Sequence, residues 1–519
     1  MFLTNGSFLG ISGTTGGEIS INANNLTHTE RSNAIVGKEN QIKIQADNNV
    51  LFDNNSLIIT QVAENSQGNA GDIEIVANGN ITFDNNSLIL SQVEENSQGN
   101  AGDINLNANG NITFDRRSFI ISGVNGQGDA GDINISAREK VAFLGTSDVV
   151  NGVALEGEPI EGNGGDIFID TKLLELSSGS SFFSSSNGKG DAGNIIINAS
   201  DGVFLSGADE NNAPGKENQQ TQLSVQIREN GEGNAGNVEI NTGLLSLTDN
   251  SLILADTKGK GNAGNIDLTV TNGNIQLNSS QITASTVGRG GGGNINITTP
   301  QSVFLREGSQ ISTEASGLAN GGDIKINADF VVAFPNQNND IFTTATQGNG
   351  GRIDIEVESL LGIEERALNP MTNDISAKSE FGLDGTVSID TPEVNSLRET
   401  TELSNNIVSI ETIALSSSCS ISETGEIEAD GGLVVKGAGG LPPKPTDPFG
   451  IDVINVDGET STGRWVYLPR TETGEIDFDK VIPARGVIFK EDGTPILTAY
   501  PTPGTPGYRE YRKQMGCDL

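Results

Sequence analysis

Apolar and polar residues alternate along most of the chain in short runs, and glycine, asparagine or aspartate separates each run from the next. Asp72-Ile73-Glu74-Ile75 and Asp132-Ile133-Asn134-Ile135 show the pattern. A period of two is typical of a β-strand with one buried face. No long segment with a helical period competes with it. The alternation therefore predicts an all-β chain built from short strands.

The alternation lies within a sequence repeat. Residues 61–84 return almost unchanged as residues 92–115. Each copy carries a marker, a glycine followed by Asp or Asn and then Ile or Val, and from Gly236 to Gly351 its spacing is 28 or 29 residues. A fixed period of this length indicates a solenoid. The marker glycines are Gly71, Gly102, Gly131, Gly165, Gly193, Gly236, Gly264, Gly293 and Gly322, and weaker copies carry Arg352 and Thr386.

Each repeat contains three short strands and three turns, which predicts one coil of a parallel β-helix of about 29 residues. Like residues should then stack on like residues, and the marker glycines should form corners that need positive φ or a close approach of two backbones. A serine often follows the second strand, as at Ser87 and Ser118. The predicted inward column is Phe83, Phe114, Phe143, Leu176, Leu205, Leu247, Leu277, Leu305 and Phe334.

The repeats predict a β-helix domain over residues 1–395. Beyond it the composition changes, with a proline-rich stretch at 441–448 and all four tyrosines after residue 460. An open β-helix end exposes unpaired strand edges, so residues 396–519 are predicted to form a small C-terminal cap. Insertions at 152–164 and 206–222 should form external loops that can carry binding.

The net charge of the chain limits the classes of partner that it can bind. The net charge is −38, and such a chain repels nucleic acid and anionic lipid surfaces. No apolar run approaches the roughly 20 residues that span a bilayer. We therefore expect no nucleic-acid partner and no membrane insertion. The first residues resemble the second half of a repeat and lack the basic and apolar regions of a signal peptide, so we expect a C-terminal part of a longer exported protein.

The residue after the marker glycine suggests a calcium ladder, since Asp72 and Asp103 occupy it. Asn194 and Arg352 take the same place in other copies, which favours a structural turn instead. The single histidine, His28, lies in a polar stretch and is predicted to be a solvated loop residue. No metal site, cofactor or nucleophilic triad is expected.

Paired carboxylates could still support glycosidase chemistry, because the chain has 68 acidic residues. Asp84 and Asp115 recur with the repeat, however, which favours a structural role. The two cysteines, Cys419 and Cys517, bracket the tail. They could form a stabilising disulfide or remain two unpaired thiols, and both alternatives stay open.

A resemblance to a known family lies in the glycine-rich start of each repeat, which we call the lead. The leads are GNAGDI at 68–73 and 99–104, with related leads at 190–195 and 261–266. In the tail the resemblance continues through Ser418-Cys419, Gly440-Leu441-Pro442-Pro443, Trp465-Val466, residues 484–493 and Cys517. These features resemble the filamentous haemagglutinin-like exoproteins of two-partner secretion systems, particularly those of cyanobacteria. The resemblance implies a right-handed parallel β-helix, export through an outer-membrane transporter of the two-partner type, and display at the cell surface or release from it.

The predicted function is therefore that of a structural, surface-exposed or secreted adhesin-like protein that contacts surface glycans or proteins, without catalysis. This sequence departs from the family's pattern at its start, where we expect the signal peptide and the secretion domain to be missing, and the family has no catalytic residues to carry over. Two alternatives remain: a carbohydrate-active β-helix enzyme, either a polysaccharide lyase or a glycoside hydrolase, and a non-functional fragment of a longer exoprotein gene.

Overall fold

The computed structural model describes residues 17–28, 40–154, 160–208, 219–288 and 290–391, together with the backbone of short strands outside these ranges. Every regular element in the described ranges is a β-strand. The chain divides into two compact units, Met1–Leu403 and Ser404–Leu519.

The strands of the first unit follow one another in chain order as β1 (Phe2–Leu3), β2 (Phe8–Ile11), β3 (Glu18–Ala23), β4 (Leu26–His28), β5 (Asn33–Val36), β6 (Gln41–Ala46), β7 (Val50–Phe52), β8 (Leu57–Val62), β9 (Ile73–Ala77), β10 (Ile81–Phe83), β11 (Leu88–Val93), β12 (Ile104–Ala108), β13 (Asn111–Phe114), β14 (Phe119–Val124), β15 (Ile133–Ala137), β16 (Lys140–Phe143), β17 (Asp148–Val153), β18 (Ile167–Ser177), β19 (Ser181–Ser186), β20 (Ile195–Ser206), β21 (Gln222–Ile227), β22 (Val238–Thr242), β23 (Leu245–Thr248), β24 (Leu252–Thr257), β25 (Ile266–Val270), β26 (Ile275–Asn278), β27 (Gln281–Gly288), β28 (Ile295–Thr298), β29 (Ser302–Arg306), β30 (Gln310–Gly317), β31 (Ile324–Ala333), β32 (Asp340–Ala345), β33 (Arg352–Leu361), β34 (Glu364–Glu365), β35 (Asp374–Ser379) and β36 (Thr386–Asp390).

These strands form a parallel β-helix, so the predicted fold class is confirmed. The first two strands of each coil join a 22-stranded sheet, which we call the first sheet, and the third strand joins a 14-stranded second sheet. Strands β9, β10 and β11 make up one coil, and each pairs in parallel with its counterpart in the next. The stack has about 11 turns of roughly 30 residues. In some coils the first two strands merge into one, as in β18 and β20.

Inward side chains form continuous columns through the stack. The rings of Phe52, Phe83, Phe114 and Phe143 stack with centroids 4.7 Å apart and planes within 5° of parallel. This distance is the coil spacing, and it matches the separation of hydrogen-bonded strands. Leu176, Leu205, Leu247, Leu277 and Leu305 continue the column and are all buried.

The predicted inward position of Phe334 is wrong. Leu305 pairs with Ala333, which is buried, whereas Phe334 is only half-buried. The guanidinium of Arg306 lies 3.8 Å from the centre of the Phe334 ring. Strand β31 runs without a break to Ala333, so the pairing register selects the small residue for the column and turns the larger one outward.

The prediction for His28 is also wrong. His28 ends strand β4, is 1% exposed, and lies against the ring of Phe52 with centroids 4.9 Å apart. It therefore begins the described part of the aromatic column. Neither ring nitrogen has a hydrogen-bond partner among the described residues, and burial lowers the pKa of His28 to about 4. The neutral imidazole occupies a place that phenylalanine takes in the following coils.

The marker glycines lie where two coils approach too closely for a side chain. A Cβ on Gly102 would lie 2.3 Å from the carbonyl oxygen of Gly71, and at all nine marker positions the nearest atom lies within 1.6 to 2.4 Å. Positive φ occurs instead at the earlier glycine of the lead, such as Gly99 with φ +148°. Close approach, not backbone handedness, is therefore what the marker position requires.

The second unit contains three pairs of short antiparallel strands, β37 (Ser420–Ile421) with β38 (Ile427–Glu428), β39 (Gly458–Glu459) with β40 (Trp465–Val466), and β41 (Gly486–Phe489) with β42 (Pro495–Thr498). The predicted domain boundary at 395/396, the capping role and the pairing of Cys419 with Cys517 lie outside the described residues, as do parts of both insertions. The handedness of the helix stays a prediction.

Candidate functional site

The acidic or amide residue after each marker glycine forms a hydrogen-bonded ladder along the stack. The backbone N–H of Asp103 donates to Oδ1 of Asp72 at 3.0 Å, and the N–H of Asp132 donates to Oδ1 of Asp103 at 2.8 Å. The same bond, between 2.7 and 3.0 Å, recurs at each step through Asp166, Asn194, Asn237, Asn265, Asn294, Asp323 and Arg352. We call this column the marker ladder.

A second ladder uses the residue after the first glycine of the lead. Oδ1 of Asn69 accepts the N–H of Asn100 at 2.9 Å, and the pattern continues through Asp129, Asn163, Asp191, Asn234 and Asn262. Carboxylates and amides both offer an Oδ1 acceptor. This shared atom explains why Asp and Asn exchange freely at both positions, whereas a cation site would require the charge.

Several carboxylates of the marker ladder adjoin one another. The pKa of Asp132 is raised, first by burial and further by the charges of Asp166 and Asp103, while the hydrogen bond from the Asp166 backbone opposes the shift. Among the described residues, no group of three or more His, Cys, Asp or Glu side chains is placed to hold a metal ion. The geometry shows these carboxylates accepting backbone hydrogen bonds.

Asp84 and Asp115, the recurrent carboxylates considered for glycosidase chemistry, lie at equivalent turns of successive coils. Oδ1 of Asp84 accepts the N–H of Asn85 at 2.7 Å, and Oδ1 of Asp115 accepts the N–H of Arg116 at 2.7 Å. The Arg116 side chain reaches back to pair with Asp84. Asn85 and Arg116 both have positive φ, so each aspartate stabilises a left-handed turn residue through its side chain.

A groove lies beside the turns that follow β8, β11 and β14. Its volume is about 850 Å³, and its lining comes from four successive coils, three of which supply the amide side chains. We call it the amide groove because amide side chains dominate its lining, which consists of Asn65, Ser66, Gln67, Glu95, Asn96, Ser97, Gln98, Asn125, Gly126, Gln127 and Ile160. Among these residues Glu95 is the only ionisable one, so the groove is nearly uncharged on a strongly acidic chain.

Three exposed glutamines form a row along the amide groove. Nε2 of Gln67 donates to Oε1 of Gln98 at 3.4 Å, and Nε2 of Gln98 donates to Oε1 of Gln127 at 2.8 Å. Parallel backbone bridges hold the three residues in register. Beneath them, Ser97 is buried and its hydroxyl donates to the carbonyl of Ala63 at 2.8 Å. The row is therefore ordered by contacts with the coils that carry it.

The glutamine row continues as a row of alternating charges. Backbone bridges connect Glu161, Lys189, Glu232 and Lys260 in succession, and Lys260 forms an ion pair with Glu232. The sequence contains the signal for this column, since each of these residues directly precedes the first glycine of a lead. The sequence did not single out this column because the recurring glycines, and not the residue before them, define the repeat.

A second polar feature lies on the outer face of the second sheet. Oδ1 of Asp256 accepts the backbone N–H of Ser285 at 3.0 Å and its hydroxyl at 2.7 Å. Burial raises the pKa of Asp256. The pKa of Glu314, which pairs with Ser285 in the next strand, is also raised, by burial and then by the charge of Asp256. Two interacting carboxyl groups thus flank one serine.

Together these features define the protein as a parallel β-helix with a polar, nearly uncharged groove on its side. Comparisons with protein-family models, with curated proteins and with solved structures return no match. Within the described residues, no helix has the length and apolar character needed to cross a membrane.

Proposed function

We propose that this chain is a structural, adhesin-like protein whose coil stack presents the amide groove to surface ligands. The observation that carries the proposal is the groove itself: amide side chains from three coils line one cavity and are held in register by backbone bridges. Binding groups fixed on a regular scaffold lose little conformational freedom when a ligand arrives. Repetition along the stack also favours contact with repetitive surfaces.

The route of export and the location of the protein are proposals that rest on the resemblance of the leads and tail to haemagglutinin-like exoproteins. In that setting the parent protein passes through an outer-membrane transporter of the two-partner type and acts at the cell surface or outside the cell. The high negative charge supports the proposal, because it keeps long coil stacks soluble and separate from one another. Surface glycans and proteins are the candidate partners, and no catalysis is required.

Bead adhesion tests the proposal. Beads coated with the full chain should attach to envelopes of the producing cells, and Gln67→Ala/Gln98→Ala/Gln127→Ala should reduce the attachment. The matched control is Asn198→Ala/Asn241→Ala, which removes another exposed amide pair, joined at 3.2 Å, from a different column. Attachment that is no higher than for uncoated beads, or that the glutamine variant leaves unchanged, would contradict the proposal.

A carbohydrate-active enzyme is the second candidate, and the Asp256–Glu314 pair is the observation that favours it. Interacting carboxyl groups with raised pKa values are typical of general acids in glycoside hydrolysis. Incubation of the full chain with a panel of polysaccharides, followed by measurement of new reducing ends or unsaturated products, tests this alternative. Turnover that Asp256→Asn abolishes would establish catalysis, whereas no turnover on any polymer would favour the binding role.

A further inference from the structure

The amide groove has the chemistry of a site for hydroxyl groups. A primary amide has two N–H donors and two acceptor lone pairs. Gln98 uses one N–H toward Gln127 and one lone pair toward Gln67, so it retains one of each for a ligand. A hydroxyl group both donates and accepts, and it therefore matches what such an amide still offers. Asn65 and Asn96, both exposed, add further amides on the same side.

The lack of charge in the lining of the groove favours an uncharged ligand. Lys and Arg are absent from the described lining, which contains a single carboxylate, Glu95. Anionic polymers would find no cation there and would face a chain of net charge −38. Cationic ligands would find no cluster of carboxylates in the lining. A neutral ligand is not repelled by the negative chain and needs no opposite charge in the lining.

The spacing of the three glutamines favours a ligand with a repeating structure. Gln67, Gln98 and Gln127 occupy successive coils, and the coil spacing measured on the phenylalanine column is 4.7 Å. One sugar unit of an extended, β-linked polysaccharide has nearly this length, so successive units can meet successive amides. The volume of about 850 Å³ is suitable for a few such units.

We propose that the amide groove binds an extended neutral polysaccharide that lies along the stack axis, with the hydroxyl groups of successive sugar units on Gln67, Gln98 and Gln127. This inference rests on the proposed binding function and adds the ligand class and its direction. The row of alternating charges from Glu161 to Lys260 marks one end of the amide segment. The residues of that row are charged, and Lys260 forms an ion pair with Glu232, so the site for neutral units ends where the glutamines end.

Affinity electrophoresis of the full chain tests the inference. Gels contain a soluble neutral β-glucan, hydroxyethyl cellulose, or an anionic polymer, alginate, and retardation gives the dissociation constant. We expect retardation by the neutral polymer alone. The triple alanine variant at positions 67, 98 and 127 should bind about tenfold more weakly or worse, and Asn198→Ala/Asn241→Ala should bind like the wild type. Gln98→Ala, which changes one exposed side chain, provides a second variant if the triple variant misfolds.

The outcomes separate the two proposals. Retardation by alginate but not by the neutral polymer overturns the inference, and so does neutral binding that the glutamine variants leave unchanged. If neither polymer retards the chain while beads still attach to cell envelopes through the glutamines, the ligand is of another class, such as a protein. The binding function then stands and the inference fails. If attachment to envelopes is also absent, both proposals fail.

Discussion

Replacement of Asp132 separates the two properties of a marker-ladder carboxylate. Oδ1 of Asp132 accepts the N–H of Asp166 at 2.8 Å, and its charge adjoins those of Asp103 and Asp166. Asp132→Asn keeps the acceptor and removes the charge, whereas Asp132→Ala removes both. If the ladder is structural, as its geometry indicates, the amide should serve at least as well as the carboxylate.

The expected magnitudes follow from the contacts. Asp132→Ala leaves the half-buried N–H of Asp166 without its acceptor, which should cost about 1–3 kcal/mol. Asp132→Asn should stabilise the coil at neutral pH by about 1 kcal/mol or less, because it removes a partly buried charge and its repulsion by Asp103 and Asp166, and the Coulomb energy of like charges at coil spacing is of that order in a well-hydrated site. A solenoid opens locally, so the effect should concentrate in the coils around Asp166.

The sign of the pH dependence follows from the raised pKa of Asp132. Because the folded protein binds this proton more tightly than the unfolded chain does, ionisation weakens the fold at neutral pH. Stability is recovered as the pH falls through the folded-state pKa. The advantage of Asp132→Asn over the wild type should therefore disappear in acid, whereas the deficit of Asp132→Ala should persist.

Hydrogen exchange read by mass spectrometry measures the neutral-pH effect in peptides that contain Asp166, and denaturant unfolding measures the pH dependence. Asp132→Ala should speed exchange by about 5- to 150-fold. The matched control is Asn265→Asp, which introduces a carboxylate between the uncharged Asn237 and Asn294 and should change stability little. An Asp132→Asn variant as unstable as Asp132→Ala would refute the reasoning and show that the charge itself is required, as in a cation site.

Three other predictions test the core and the corners. His28→Leu should stabilise the protein by about 1–3 kcal/mol in thermal or denaturant unfolding, because it removes buried nitrogens without partners. It should also abolish a loss of up to about 3 kcal/mol that the wild type shows as the pH falls from 6.5 towards 4, since burial depresses the histidine pKa; an unchanged pH profile would contradict this. Phe114→Ala should cost about 3–5 kcal/mol in denaturant unfolding, whereas Phe334→Ala should cost about 1 kcal/mol, and equal costs would contradict the corrected register. Gly102→Ala should cost about 1–3 kcal/mol in thermal unfolding because of the backbone contact at 2.3 Å, while Gly291→Ala, whose nearest atom lies at 3.6 Å, should be neutral.

The fold could be predicted from the sequence because two simple periods coincide. The alternation of apolar residues defines strands, and the repeat of about 29 residues forces equivalent strands to pair in register. Phe334 shows the limit of this reasoning, since a one-residue difference in strand register exchanges Ala333 for Phe334 in the column. His28 shows another: polar neighbours suggested a loop, although alternation with the buried Leu26 already placed it inward.

The amide groove could not be predicted because it depends on how three turns lie beside one another. Gln67, Gln98 and Gln127 are visible in the sequence as the residues before a glycine, but only the backbone bridges place their side chains in one row. The interaction of Asp256 with Glu314 is likewise invisible in the sequence, since 58 positions separate two residues that lie on either side of the strand carrying Ser285.

The two ladders also make the coil a unit that can be copied. Oδ1 of Asn69 and Oδ1 of Asp72 accept backbone N–H groups of the next coil. In that coil, Asn100 and Asp103 provide the same acceptors for the coil after it. A duplicated segment of residues 68–98 would enter the stack with every acceptor and every glycine already in place, lengthening it by one coil spacing. Duplication or loss of a repeat in the gene could thus adjust the reach of the protein in fixed steps, with no change in how any coil folds.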